Sequence, residues 1–196
     1  GSNDNGADGI TVVLQKSGAG LNAIGDDGAN IGYGSLLTPI TPSVDVEFDT
    51  YNNGTWLYND IADDHCAING DGITSWTLAP AVPILGPGLN VEDNQYHIIE
   101  VSWEPVSTTM KVYFDCNHIQ TLTYDLIGGI FSGDSIVYYG ITSGTGLANN
   151  AQYFCELYLN AGQDSSKRRN NSTSSANAPS RCINSLTRET ACITVV

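Results

Sequence analysis

The stretch Val44-Asp-Val-Glu47-Phe-Asp49-Thr-Tyr51-Asn-Asn53-Gly-Thr-Trp56-Leu-Tyr58-Asn-Asp60-Ile-Ala-Asp63-Asp64-His65 decides the reading of this chain. Residues two apart on a strand point to the same face. Glu47 and Asp49 therefore project together from a strand otherwise built of Val44, Val46 and Phe48. Two neighbouring carboxylates on one face of a core strand repel each other unless something neutralises them, and a divalent cation does so. The loop that follows supplies further oxygens from the Tyr51 carbonyl, the Asn53 side chain, and Asp60, Asp63 or Asp64; His65 adds a nitrogen. Calcium takes about six to eight oxygens, whereas a histidine beside carboxylates suits manganese or another transition ion. The segment reads as a metal site. The competing reading leaves Glu47 and Asp49 at an exposed strand end, with the loop acids simply solvated.

Outward from this segment the chain reads as all-β. Segments rich in β-branched and aromatic residues recur at Gly9–Gln15, Val44–Tyr51, Gln95–Trp103, Thr108–Asp115, Ser135–Thr142 and Gln152–Leu159. Loops rich in Gly, Asn and Asp separate them, the pattern of a sandwich or barrel. One short helix is expected, over Asp125–Phe131. Residues 163–181 form a polar, low-complexity linker. Beyond it Cys182 and Cys192 bracket a tail segment, 182–196, that ends in the strand-like Ile193-Thr-Val-Val196. The expected organisation is a sandwich over 1–162, the linker, and this tail, which either completes the sandwich or begins another module.

Charge narrows the function classes. The 196 residues carry 21 acids against 7 basic residues, a net charge of -14. Residues 1–162 hold 19 of those acids and only Lys16 and Lys111 as cations, while the five remaining basic residues fall in 163–196. Such a body is repelled by phosphate backbones, so no nucleic-acid partner is expected. No apolar run approaches the roughly 18 residues of a membrane span, so no membrane insertion is expected. The glycines between Gly18 and Gly34 do not make a phosphate loop, because Leu36-Leu-Thr-Pro39 follows them where a helix N-terminus is needed.

The five cysteines show neither CxxC spacing nor clustered histidines, which favours disulfides in an oxidising compartment over a zinc site. Cys116 and Cys155 both fall on predicted strands and are expected to pair. Cys182 and Cys192 would close a small loop, and Cys66 is left as a buried thiol. His97 and His118 lack acidic ligand spacing and read as ordinary strand residues. Trp76 and Trp103 are expected in the core. Trp56 and Tyr58 lie in the metal loop, free to stack on a ligand or to face solvent.

Val-x-Val-Glu47-Phe-Asp49-Thr-Tyr51-x-Asn53, with Asp60 and Asp64-His65 ahead of a new strand, resembles the metal-binding motif of legume-type (L-type) lectins. Three further stretches agree in chain order with the bacterial branch of that family: Ala7-Asp8-Gly9 opening a strand, Ile31-Gly-Tyr-Gly34, and Tyr138-Tyr-Gly140 through Gly144-Thr-Gly146 to Asn149-Asn150. The resemblance runs from residue 3 to about 160. It implies a concanavalin A-like jelly-roll sandwich of antiparallel sheets that binds a glycan. By position, Asp8, behind a cis Ala7–Asp8 peptide, would accept from two sugar hydroxyls. The Ala29 amide and the Asn53 side chain would complete the contacts, and the loop from Gly146 through Leu147 to Asn149 would shape specificity. Asp49, the Tyr51 carbonyl, Asn53 and Asp60 match the family's Ca2+ ligands. Glu47, Asp49, Asp60 and His65 match its Mn2+ ligands.

The chain departs from the family in two places. In legume lectins the bridging aspartate closely follows the asparagine within Trp-Asp-Pro; here Trp56 takes that spacing and Asp60 comes later, so Asp63 and Asp64 compete with it. The family also has one or two strands before Ala-Asp-Gly, and the tail strand Ala191–Val196 is a candidate to fill that gap. Glycosidases of the same broad fold place two catalytic carboxylates as Glu-x-Asp-x-(x)-Glu. Here Asn52 stands where the second glutamate belongs, and asparagine donates no catalytic proton, so no enzyme is expected. The expectation is a calcium-dependent glycan-binding domain at the cell surface or outside the cell, with self-association or neighbouring modules as further partners. The rival reading is a structural module of an adhesin or filament.

Overall fold

The computed structural model describes residues 6–56, 58–158 and 189–195, the last segment and 156–158 by backbone alone. Ten strands and one helical turn follow in chain order. They are β1 (Gly9–Gln15), β2 (Ser43–Asp49), β3 (His65–Gly70), β4 (Ile73–Pro83), β5 (Tyr96–Glu104), β6 (Thr109–Phe114), β7 (Asn117–Thr123), α1 (Leu126–Gly129), β8 (Tyr138–Gly144), β9 (Gln152–Tyr158) and β10 (Glu189–Val195). They form two five-stranded sheets, ordered β4-β3-β2-β1-β8 and β7-β6-β5-β10-β9. The strand pairs are antiparallel, and the whole is the jelly-roll sandwich that the sequence implies.

Alternation along the strands builds the core. Met110, Val112 and Phe114 of β6 are buried while Lys111 between them is exposed. From the other sheet Ile10, Val44, Val46, Phe48 and Ile68 meet them, together with Ile99 and Leu122. The rings of Phe48 and Phe114 lie 6.2 Å apart and tie the two layers together. Each large apolar side chain so buried contributes roughly 1.5–3 kcal/mol.

The opposite face of the first sheet departs from simple alternation. Every residue of β2 is buried, the acids Asp45, Glu47 and Asp49 included. The glycine-rich segment between β1 and β2 covers this face, packing Tyr33 and Ile40 against Val13 in a second apolar cluster. Tyr33 keeps its hydroxyl satisfied there, with the Ser43 hydroxyl at 3.0 Å and the Gly72 amide donating at 3.0 Å. A polar strip is thus sealed inside the protein, and that strip positions the site.

Two tight hairpins set the register. Asp71 and Gly72 join β3 to β4 with positive φ at both residues, the conformation an Asp-Gly turn favours. Asp115 and Cys116 do the same between β6 and β7. The expected helix is reduced to the single turn α1, capped by the Asp125 carboxylate, which accepts from the Gly128 amide at 2.9 Å.

In the second sheet β10 lies between β5 and β9, with Ala191 opposite Ile99 and Cys192 opposite Cys155. The tail thus contributes a strand to this sandwich. Cys116 stands in the β6–β7 turn, not on a strand. Cys66 is a free, buried thiol, as expected, while Cys182 and the Cys192 side chain lie outside what is described. Trp103 packs half-buried against the core. Trp76, expected in the core, is 41% exposed on β4. Its ring lies over Gly70, where an added Cβ would stand 2.9 Å from it, so it covers the sheet without entering the interior.

Candidate functional site

The polar strip on β2 meets β3 through its register, which sets Asp49 opposite His65 and Glu47 opposite Ala67. Glu47 and Asp49 point to the same side, as their spacing requires, and His65 joins them from the neighbouring strand. The loop between these strands folds back so that Asp60 is also buried beside them. One ligand atom from each of Asp49, Asp60 and His65 lies within 4.8 Å of the others. His65 Nε2 stands 3.8 Å from an Asp60 oxygen and 3.9 Å from a Glu47 oxygen.

The loop acids differ in place and partner, and only Asp60 groups with Asp49 and His65. The Asp63 carboxylate accepts from the Gly88 amide at 2.7 Å, and Asp64 accepts from the Val91 amide at 2.7 Å. Both serve to hold the β4–β5 loop, and Asp60 alone of the three joins the cluster. One Asp60 oxygen accepts from the Asn53 amide at 2.6 Å, and Asp49 accepts from the Tyr51 amide at 2.7 Å. The turn from Tyr51 to Asn53 is therefore tied to the same two carboxylates.

The electrostatics of this cluster require an answer. Burial first, then the charges of Asp45, Asp49 and Asp60, raise Glu47 well above an ordinary carboxyl. Burial and then Asp60 raise Asp49 well, and burial pushes Asp60 up to about 6. Burial lowers His65 below the usual imidazole range, favouring its neutral form. The ring orients itself through Nδ1, which donates to the Asp63 carbonyl at 3.1 Å. Its Nε2 is buried with no hydrogen-bond partner. A neutral imidazole with one nitrogen fixed by a carbonyl and the other aimed at carboxylates is the donor arrangement a transition ion selects. Buried carboxylates with an orphaned imidazole nitrogen fit a divalent cation.

Two residues that sequence reasoning missed extend the strip. Asp45, two residues before Glu47, is buried and accepts from Thr11 Oγ1 at 2.8 Å and the Asn69 amide at 3.2 Å. Asn69 also donates through Nδ2 to Glu47 at 2.9 Å. The same alternation that exposed Glu47 and Asp49 as a pair extends to Asp45, and it was the signal available.

A second group of residues gathers beside the cluster. The Ala7–Asp8 peptide bond is cis, as the resemblance implies. Asp8 is buried, and its Oδ2 has no hydrogen-bond partner. Burial, then the charge of Asp27, raises its carboxyl above the ordinary value. Gly146 adjoins its head: a Cβ added at Gly146 would lie 3.6 Å from Asp8 Oδ2 and 3.7 Å from the Gly28 Cα. The Gly28 amide donates to the Thr145 carbonyl at 3.2 Å, fastening the two loops to each other. Ala29 sits in the 3-10 turn Gly28–Asn30, at whose start the first N–H groups have no partner within the turn.

The structure thus brings Asp8, Gly28 and Gly146 together, with Ala29 next to Gly28 in the same turn. Asn53, Leu147 and Asn149 are exposed on the neighbouring loops. Trp56, on the same loop as Asn53, is 92% exposed. The charge of Asp8 contributes to raising both Asp49 and Asp60, so the two groups of carboxylates sit within electrostatic reach of one another.

Comparison with known proteins converges on one family. The chain matches the family model of the legume lectin β-barrel domain over residues 1–156. Among solved structures it resembles a lectin from Bauhinia forficata in complex with GalNAc, at 19% identity and a TM-score of 0.56, over 75% of this chain and 62% of that one. It also resembles peanut lectin with a nine-residue peptide, at 22% identity and a TM-score of 0.50, over 74% and 58% of the two chains. The lectin UEA-II complexed with galactose matches at 21% identity and a TM-score of 0.50, over 73% and 58%. This chain therefore spans about three-fifths of the length of the solved lectins it matches, and at these identities the likeness speaks for the fold.

Proposed function

This chain belongs to the legume lectin (L-type) domain family, and from that premise we propose that it binds a glycan at Asp8 without catalysis, in a site organised by calcium. The observation that carries the reading is Asp8 Oδ2, a buried carboxylate oxygen with no partner, beside Gly146, where an added Cβ would stand 3.6 Å from it. Leaving such an oxygen unsatisfied costs about 1–3 kcal/mol or more, and sugar hydroxyls remove that cost by donating to it. The amide of Ala29 and the side chain of Asn53 add a donor and an acceptor, and Leu147 and Asn149 border the site from the last loop.

Calcium is assigned to Asp49, the Tyr51 carbonyl, Asn53 and Asp60, and Mn2+ to Glu47, Asp49, Asp60 and His65. When bound, the cations neutralise carboxylates that burial and mutual repulsion would otherwise leave protonated. Asp60 and Asp49 already hold the Asn53 and Tyr51 amides, so fixing those carboxylates fixes the loop that carries Asn53. The same reading places the protein outside the cell or at its surface. Disulfides belong to it too: Cys116 with Cys155 and Cys182 with Cys192 by the sequence reading. The β9–β10 register offers Cys192 as a second partner for Cys155, and peptide mapping without reduction distinguishes the two.

A glycan array run with and without EDTA tests the proposal, followed by titration with galactose, N-acetylgalactosamine, mannose and glucose. GalNAc and galactose, the sugars held by two of the similar lectins, head that panel. Binding abolished by EDTA and by Asp8→Ala, with the fold intact, is the expected result. Sugar binding indifferent to both sinks the assignment of the site. An array without any signal from the calcium-loaded protein favours a structural module instead.

A further inference from the structure

The hydrogen bonds around Asp8 converge on a residue pair that neither the sugar contacts nor the metal ligands use. The Asp8 carbonyl accepts from the Thr50 amide at 2.9 Å and from Thr50 Oγ1 at 3.3 Å. One residue earlier, the Ala7 carbonyl accepts from the Asn150 amide at 3.1 Å and Gln152 Nε2 at 3.4 Å. The Asn150 side chain joins the two clamps. Its Nδ2 donates to Thr50 Oγ1 at 3.3 Å and to Glu92 Oε1 at 2.5 Å, while its Oδ1 accepts from Gln152 Nε2 at 2.7 Å.

Glu92 brings this arrangement into register with the metal strands. It follows Val91, which is buried and donates its amide to Asp64, the residue beside His65. The Asp64 carbonyl also accepts from the Ile84 amide at 2.9 Å, so the start of the β4–β5 loop and Val91 within it hang on one residue. The chain packs directly on the Glu92–Asn150 pair at Gly6: a Cβ there would stand 1.8 Å from Glu92 Oε1 and 2.9 Å from Asn150 Nδ2. Only a glycine leaves the carboxylate where it is. An amide donating to a carboxylate is among the stronger hydrogen bonds a half-buried pair makes.

We propose that Glu92 and Asn150 form a brace that positions Asp8 for sugar, transmitting the placement of the Asp64–His65 segment to both carbonyls of the Ala7–Asp8 unit. The pair are positioning residues, and their role in affinity rests on the sugar-binding reading above. Each carbonyl is held by two donors, and Asn150 contacts or supplies donors on both sides. Loss of the pair therefore frees Asp8 to shift relative to Gly28 and Gly146, without removing any residue assigned to sugar or metal.

The test uses the full chain, calcium-loaded, with two readouts: affinity for the four-sugar panel, and hydrogen exchange of the Thr50 and Asn150 amides. N150D sets two carboxylates in contact and removes the donor; E92Q/N150D restores one donor facing one acceptor with the polarity reversed. N150D is expected to weaken sugar binding about tenfold or more and to speed exchange of both amides, and the double variant to recover most of each loss. Gly6→Ala is expected to act like N150D by displacing Glu92. Calcium affinity should stay within about twofold throughout, because no ligand is altered. A merely structural role would not produce rescue by exchanging charge between the partners. N150D and Gly6→Ala that bind sugar and exchange as the wild type does would overturn the brace. So would a double variant no better than N150D. If the wild type binds none of the four sugars, the sugar reading fails, and the exchange readout alone then upholds or overturns the brace. Should N150D fail to fold, E92Q with Gly6→Ala gives the same two readouts.

Discussion

In EDTA this domain will lose stability as the pH rises from about 4 to about 8, the reverse of ordinary acid denaturation. Asp45 is buried on β2, and burial outweighs the hydrogen bonds from Thr11 and Asn69, so its carboxyl titrates at about 7 where the ordinary value is 3.8. Between those limits the folded state holds a proton that the unfolded chain has released. The native state binds more protons, so the free energy of unfolding falls with rising pH. The contribution is fully present below the unfolded value and is lost as the pH passes through the folded one. At about 1.4 kcal/mol per pH unit, the interval is worth ~4 kcal/mol, against a total of roughly 5–15 kcal/mol for a domain. Glu47, Asp49 and Asp60 are raised in the same direction and steepen the slope.

Thermal unfolding at a series of pH values reads this directly. A loss of ~4 kcal/mol corresponds to a fall in Tm of about 8–16 °C for a chain of this size. Excess calcium should remove the part of the slope that Glu47, Asp49 and Asp60 add, because a bound cation ionises its ligands in the folded state. Asp45 is not among those ligands, so its share persists with calcium and disappears in Asp45→Asn. A Tm in EDTA that is level or climbs between about pH 4 and about pH 8 refutes the argument. So does an Asp45→Asn variant whose profile matches that of the wild type.

Other expectations follow from burial and exposure. Phe48 is buried against Phe114 across the sandwich, and Phe48→Ala should cost about 3–5 kcal/mol in urea unfolding. Trp56 is 92% exposed, so Trp56→Ala should change stability by less than about 0.5 kcal/mol. Its indole fluorescence should respond to sugar if the ring stacks on the ligand, and a response undiminished in Trp56→Ala would remove it from the site. Cys66 is buried, and burial raises its thiol well. It should therefore resist a thiol reagent in the native protein and react once unfolded, as the single free thiol if the other four cysteines pair. Rapid labelling of the native protein would contradict that burial.

How far the sequence could be read depended on what carried the signal. Strand β1 was legible to the residue, because Gly9 to Gln15 alternates between turn-rich flanks. Strand β7 was missed. The turn before it is Asp115-Cys116, which adopts the two-residue hairpin conformation without the glycine that advertises one. Strand β4 was missed because Pro80 and Pro83 and the exposed Trp76 break its alternation, which an edge strand with register shifts tolerates. The place of the tail depends on a pairing between residues far apart in the chain, and no local pattern announces that β10 lies beside β5. Within the site, spacing on one strand located Glu47 and Asp49, whereas the choice among Asp60, Asp63 and Asp64 required seeing which backbone amides each accepts.

That choice bears on why the acid excess does not unfold the protein. The carboxylates of Asp63 and Asp64 accept from the amides of Gly88 and Val91, away from the cluster. Asp45 and Glu47 have Thr11 and Asn69, which lower their carboxyls without overcoming burial. Asp49 and Asp60 each hold a backbone amide of the following loop and still repel one another. Among the described residues the cluster's nearest basic group is His65, 3.8 Å from Asp60 and 3.9 Å from Glu47, whose neutral form burial favours. Side-chain cations of the described residues therefore do not balance the strip; raised carboxyls hold protons there in the metal-free protein, and the divalent ion proposed above would take the place of those protons. Sugar affinity and fold stability should accordingly share one calcium dependence. A variant that relieves the repulsion without a cation, such as Glu47→Gln, should raise the Tm in EDTA while lowering the gain from added metal.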